Sequence, residues 1–475
     1  MSHFIKKMQQ IFFPIKTNKE VVNNEERKKN EKYSFKEDSI LKLLFIFVGP
    51  AVLGMLINAL YNFVDRIFVG QFVGVEGLSA VTMVFPVSLF QFGFILLFGS
   101  GSGILIAKYL GESNIEKAEN VLGNAVAGLL ITILIFTSAG LFFYKPLLEL
   151  FGAQGELLNL SADYLLVIIL GFPLSFFLAL EFTCRAEGNP KLPAKLIILS
   201  CIINVCLDYV FMKIFNLGIR GAALATIIAQ ASNSLFLIKY YVTGKSTVKL
   251  VLKKIKINKQ IMLPILMVGL APFLMDLAIS FQNIFANNLL LKSGGIDGVA
   301  AMGILFGVNA FFMMIALGTG DGMQPIISFN FGAKRYDRSI KTLEFALLIV
   351  GAIAIIGTVL IEIFPTQITS IFINANENKN VNNIAKIALQ IFALTIPFYS
   401  IQIVVTRYFQ ALQKNKVATF LALLRPIILF IPIVFLLNKY FGLIGIWMAF
   451  PLSDGAAAVL SLFFVKKYNI NKLTV

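Results

Sequence analysis

Apolar runs of about 20 residues, each long enough to cross a hydrocarbon core of roughly 30 Å, follow one another from Leu41 to Phe464 with little between them. Such a succession leaves almost nothing for a soluble domain, and it demands a fold in which backbone polar groups are satisfied within helices. Composition agrees: 58% of the 475 residues are hydrophobic, 14% are charged and the mean hydropathy is +0.83. These values lie far from those of ordinary soluble domains. The expectation is an all-α integral membrane protein with twelve transmembrane helices, at 41–70, 78–108, 118–144, 160–186, 192–213, 220–242, 261–291, 298–330, 340–364, 384–411, 416–438 and 443–466. Several exceed a perpendicular crossing, so tilts or kinks are expected, as Pro50, Pro86, Pro173, Pro272, Pro325, Pro397 and Pro451 also indicate.

A net charge of +16 would point to nucleic acid in a soluble chain, but in a membrane protein its distribution between loops carries the information. With the N-terminal tail placed in the cytoplasm, 31 of the 41 Lys and Arg fall on inner segments, eight on outer loops, and Arg407 and Arg425 within spans. The bias predicts a multi-pass protein of the plasma membrane with both termini cytoplasmic. Residues 1–40 read as a cytoplasmic tail, disordered or lying on the membrane surface, and 467–475 as a cytoplasmic C-terminus. No signal-peptide core is visible, IFFPI being too short. Segment 243–260, rich in lysine, reads as a linker and hinge between an N-lobe (41–242) and a C-lobe (261–466). The basic segments also suit contact with anionic lipid. Cys184, Cys201 and Cys206 show no ligand spacing and the single histidine is His3, so no zinc site, disulfide framework or cofactor is expected.

The two halves repeat each other. GSGSG at 99–103 recurs as GTGDG at 318–322, an offset of 219, and Pro173 with Pro397, Gly218 with Gly442 and Gly221 with Gly445 stand 224 apart. Six helices per half is an even number, so both halves enter from the same side and form a parallel repeat of two six-helix bundles. Two bundles around a central cavity is the architecture of alternating access.

Ionisable residues deep in spans cost at least ~2.5–3.5 kcal/mol each and are functional candidates by default. The first half supplies Asp65, Glu181 and Asp208; the second supplies Asp276, Asp321 and Asp454. Asn58 lies seven residues before Asp65 and Asn204 four before Asp208, so each acid has an amide on its own helical face. Buried carboxylates so placed can take and release protons or hold Na⁺. Arg66, next to Asp65, points about 100° away and is expected to reach the outer interface or another acid. The 46 Phe and 13 Met provide soft walls for flat cations.

The NxxxD run from Asn204 to Asp208 with LGIRGAALAT at 217–226 resembles the fifth-to-sixth helix signature of the multidrug and toxic compound extrusion (MATE) family. NFVDRIFVG in the first helix, QPIISFNFGAKRYD after the eighth, and RPIILFIPIVF and FGLIGIWMAFPLSD near the end are similar as well, in family order over roughly 40–465. The resemblance implies an antiporter that exports cationic amphiphilic compounds in exchange for H⁺ or Na⁺. It implies a coupling-ion site in the N-lobe at Asp65, Asn204, Asp208 and Thr226, with Asn58 and Glu181 on the same pocket. Asp276, Asp321 and Asp454 stand as secondary candidates in the C-lobe. The expected partners are small cationic or amphiphilic substrates and membrane lipid, not nucleic acid, with the protein a monomer. Arg66 departs from the small residue that many relatives carry there.

A flippase for lipid-linked oligosaccharides shares this architecture and is the alternative reading, but Arg407 and Arg425 are the only bases placed deep within spans, away from their ends, against six acids. An enzyme is not expected. Gly318-Thr319-Gly320-Asp321 matches the GxGD of intramembrane aspartyl proteases, yet the Tyr-Asp pair such enzymes need is reversed here as Asp208-Tyr209.

Overall fold

The computed structural model describes residues 33–372 and 379–473; the expectation for tail residues 1–32 lies outside these, as does the last stretch of the C-terminus. Ten helices among the described residues are long and apolar enough to span a membrane, and the pair Asn382–Ala393 and Thr395–Ala411, bent by 43°, makes an eleventh span. In chain order the helices are α1 Ile40–Phe72, α2 Val75–Gly111, α3 Ile115–Leu150, α4 Gly155–Ala186, α5 Lys191–Ile214 and α6 Gly218–Val242. They continue with α7 Lys259–Gly295, α8 Ala301–Gly332, α9 Tyr336–Ile363 and the bent α10 at 382–411. The last apolar stretch, Asn415–Tyr468, runs 54 residues, about 80 Å at 1.5 Å per residue and far more than one crossing. It breaks at Gly442, where φ is 55° and ψ −132°. The break makes it two spans, α11 before Gly442 and α12 after it, and gives the twelve expected from sequence.

The helices begin and end where local chemistry directs. Ser39 and Asn114 cap the first turns of α1 and α3, accepting from the backbone N–H of Lys42 and Lys117. The turns that leave the spans need left-handed backbone, at Gly74, Ser113, Gly188 and Gly218 in the first half and at Gly295, Lys334, Gln413 and Gly442 in the second. Each position pairs with one 221 to 225 residues later. Even the turn hydrogen bonds repeat: Gly188 N–H donates to Arg185 O and Asn189 N–H to Cys184 O, as Gln413 N–H donates to Gln410 O and Lys414 N–H to Phe409 O. The repeat therefore runs at 221 in α2 and α8, not the 219 taken from the glycine motifs. Ser100 then corresponds to Asp321, and Gly99 and Gly101 to Gly320 and Gly322.

Two hydrophobic cores follow the repeat, with one exchange. The core that runs from Ala271 to Ala457 also holds Leu43, Leu44, Phe47 and Val48 of α1. The core that starts at Val69 also holds Met262, Ile265 and Val268 of α7. The crossing that joins them depends on missing side chains. A Cβ on Gly111 would run into the carbonyl oxygen of Phe329, and one on Gly332 into that of Lys108; 108 and 111 are the repeat counterparts of 329 and 332. Helices α2 and α8 thus meet backbone to backbone, as small residues permit in membranes. This crossing, like those of Gly101 and Gly269, lies in the half of the molecule that carries the start of α1, here called the tail side. The two halves are closed against each other there.

Tail residues 33–38 are seated on the same side. Phe35 stacks on Phe329 at 4.8 Å between centroids, and Arg338 Nη2 donates to the carbonyl oxygens of Phe35 and Asp38 at 3.0 and 2.7 Å. The segment expected to act as a hinge is fastened to the first half. Lys254 Nζ lies 2.8 Å from Glu119 Oε2, Asn258 N donates to Asn124 Oδ1 at 2.6 Å, and Val248 N donates to Glu187 Oε2 at 3.0 Å.

Candidate functional site

Asp65 sits seven residues before the end of α1 and Asp208 six before the end of α5, so both lie toward the side opposite the tail. Asp208 immediately precedes a wide π turn, Tyr209–Ile214, a local distortion frequent at functional positions. The two carboxyl groups are buried, at 7% and 0% exposure, and lie within hydrogen-bonding reach of each other. Asp65 Oδ1 and both oxygens of Asp208 nonetheless have no hydrogen-bond donor among the described residues. Two carboxylates are acceptors only, so a bond between them requires a shared proton or a cation.

Asn204 and Thr226 complete the group. Asn204 Nδ2 donates to Thr226 Oγ1 at 3.5 Å, which turns Asn204 Oδ1 the other way, buried and without a donor. Tyr61 and Tyr164 reach the same Thr226 hydroxyl. Neither had been singled out from sequence, although Tyr61 lies four residues before Asp65, on the same face, and the spacing rule that picked Asn58 would have picked it too. No ion pair among the described residues involves Asp65 or Asp208. Arg66 is exposed, its guanidinium 5.7 Å from the centre of the Phe85 ring. Among the described residues it meets no acid at ion-pair distance, although its charge is felt by Asp65.

An open cavity of about 120 Å³ lies beside this group on the inner face of the first half. Its wall runs from Asn58, Tyr61, Asn204 and Thr226 through Gln230 to Asn233, Glu181 and Arg185 near the tail side, with Met55, Phe92, Leu178 and Phe182 as apolar lining. Glu181 therefore shares the cavity but not the acid pair. Its Oε1 accepts from Asn233 Nδ2 at 2.8 Å and its Oε2 lies 3.2 Å from Arg185 Nη2. The structure thus brings together four of the six residues named from sequence, with Asn58 and Glu181 spread along the adjoining wall.

The acids of the second half are held differently. Asp321 Oδ1 lies 3.3 Å from Arg407 Nε, and Asp454 Oδ2 lies 3.6 Å from Arg425 Nη1. Asp276, half-buried, feels the charges of both Arg407 and Asp321. Here the repeat breaks in chemistry: Asp321 and Asp454 each lie at ion-pair distance from an arginine, whereas among the described residues neither Asp65 nor Asp208 does, Arg66 acting on Asp65 only through its charge.

Comparison with known proteins places the chain among its relatives. The multidrug export protein MepA of Staphylococcus aureus is 27% identical over 439 residues, covering 92% of this chain and 96% of that protein. MepA of Staphylococcus saprophyticus is 27% identical over 443 residues with the same coverage. Among solved structures, the MATE multidrug transporter DinF-BH superposes with a TM-score of 0.84 at 32% identity, over 92% of this chain and 97% of that one. The outward-facing conformation of a multidrug resistance MATE family transporter of the MOP superfamily superposes with a TM-score of 0.87 at 23% identity, over 93% and 98%. The MatE family model matches residues 50–210 and 262–436, most of both repeat halves, and the chain belongs to the MatE family.

Proposed function

We propose that the chain exports cationic, amphiphilic compounds by alternating access, in exchange for H⁺ or Na⁺ taken at Asp65 and Asp208. The observation that carries the reading is the facing pair of buried carboxyl groups, with Asn204 one helical turn before Asp208 and no donor among the described residues for their free oxygens. Two buried charges of one sign cost several kcal/mol each unless compensated. A proton or a small hard cation provides that compensation and leaves when the pair is exposed to a compartment poor in it. Thr226, tied to Asn204 and contacted by Tyr61, links the pair to the cavity wall. Compensation of the pair on one side and cargo binding on the other then repack the same short stretch of α1, α5 and α6. Reciprocity follows, since ion and cargo that favour opposite states must weaken each other's binding.

The cavity suits the cargo. Its aromatic and Met side chains offer dispersion and cation–π contact, and the acid on its wall is Glu181. Arg185, the base on that wall, is already paired with Glu181, which leaves no spare positive charge for a lipid pyrophosphate. The surplus of lysine and arginine on the tail side supports a plasma-membrane orientation with both termini in the cytoplasm. The test is efflux of tetraphenylphosphonium from proteoliposomes under an imposed proton gradient or an imposed Na⁺ gradient. The proposal expects one of the two to drive efflux against the cation's own gradient; movement under neither overturns it.

A further inference from the structure

The repeat register exposes a second charge arrangement, in the seam between the halves. A small cavity on the tail side is lined by Ser100, Phe182 and Arg185 from the first half and by Asp321, Gln324 and Pro325 from the second. Across this seam Gln410 Nε2 donates to Ser100 Oγ at 3.0 Å and to Val268 O at 3.0 Å, a direct link from α10 to α2 and α7. By the register above, Ser100 corresponds to Asp321 and Gln410 to Arg185. The symmetry counterpart of the Gln410–Ser100 hydrogen bond is therefore a contact between Arg185 and Asp321, and those two residues line one cavity. The neighbourhood repeats as well: a Cβ on Gly99 would meet Phe182 and one on Gly320 would meet Arg407, again counterparts at 221 and 225.

In this structure the contact is not made, and both residues are left under-used. Arg185 is 6% exposed, gives Nη2 to Glu181 and has no partner for its buried Nη1. Asp321 is 3% exposed; its Oδ1 is near Arg407 Nε, but neither of its oxygens accepts a hydrogen bond. Unsatisfied buried groups of opposite charge on one cavity have an evident alternative arrangement, since a buried donor or acceptor left unpaired is costly.

We infer that Arg185 is a positioning residue that exchanges Glu181 for Asp321, and that this exchange locks the tail side closed when a cation reaches Glu181. The inference rests on the proposed cationic cargo, since Glu181 lies on the cargo cavity. A cation held at Glu181 replaces Arg185 as counter-charge, and the guanidinium then pairs with Asp321 across the seam. With the cation counted against Glu181, the set of Arg185, Asp321 and Arg407 carries one net positive charge, and Asp276, which lies within the field of Arg407, is the acid that offsets it. Without cargo, Arg185 stays with Glu181, the arrangement seen here, and the closed seam is held by its backbone crossings without that ion pair, which makes opening on the tail side easier. A loaded cavity thus closes the gate behind its cargo.

The test measures the separation of spin labels on the tail-side ends of α3 and α9 in full-length protein in nanodiscs, with and without tetraphenylphosphonium. The wild type is expected to shift toward the short distance when the cation is added. Asp321→Asn is expected to bind the cation within about threefold of wild type yet lose the shift. Glu181→Gln, which frees Arg185, is expected to take the short distance without any cation, and Glu181→Gln with Asp321→Asn to lose it again. Arg185→Lys, which keeps a charge of shorter reach, is expected to restore part of the shift that Arg185→Ala removes. A full cation-driven shift in Asp321→Asn overturns the exchange. If the wild type does not bind the cation, the cargo reading fails instead. Glu181→Gln then decides the exchange alone: short distances that need Asp321 support it, and unchanged distances overturn it.

Discussion

At the scale of single residues, charge balance separates the two halves. Asp321 and Asp454 each face an arginine at 3.3 and 3.6 Å, whereas Asp65 and Asp208 face each other. Asp208→Asn and Asp65→Asn remove one of two like charges without changing shape, so folding should be kept or improved while ion-driven export falls at least tenfold; monodispersity and vesicle flux measured on the same preparation check both. Outside the membrane, burial pushes the partly buried Glu187 carboxyl up to about 7 from its ordinary 4.5, against opposing hydrogen bonds from the Tyr240 hydroxyl and from the backbone of Val248 and Thr247. A raised carboxyl favours the folded state in its neutral form. That contribution is full below about pH 4.5 and is lost as the pH rises through about 7. Glu187→Gln keeps the acceptor for Val248 and removes the charge, so it should raise the thermal midpoint at pH 8, by up to about 3 kcal/mol in stability, and leave it nearly unchanged at pH 5.

At the scale of helices, α2 and α8 approach backbone to backbone at Gly111 and Gly332. Valine at either position places side-chain atoms on the facing carbonyl, which the tail-closed arrangement cannot admit without separating the helices. Gly111→Val and Gly332→Val should therefore hold the tail side open and lower transport more than tenfold, seen as faster alkylation of a cysteine placed in the seam. Much at this scale was legible in the sequence. Apolar run length gave the spans, since nothing else satisfies a backbone in lipid, and helical spacing placed Asn58 and Asn204 on the faces of their aspartates. The register of the repeat was misread by two residues in α2 and α8 because glycine motifs match themselves at several offsets. The left-handed turns, which fix the true register, are set by backbone geometry and fall on Ser113, Lys334 and Gln413 as well as on glycine. The Arg partners of Asp321 and Asp454 were hidden for another reason: they come from α10 and α11, and pairing between distant helices has no local signature.

At the scale of the whole molecule, two similar bundles share a seam that is closed on the tail side, and one of them carries a pair of uncompensated acids. Fold and family follow from the sequence motifs and the superpositions together; the coupling-ion role of the pair is the central claim. It is tested most directly by reconstituting wild-type and Asp208→Asn protein and measuring ion uptake, with a pH dye and with ²²Na⁺, as tetraphenylphosphonium leaves the vesicles. The account predicts counterflow of one ion in the wild type, and in Asp208→Asn an intact affinity for the cation with ion counterflow reduced at least tenfold. Undiminished counterflow in a folded Asp208→Asn protein would contradict it.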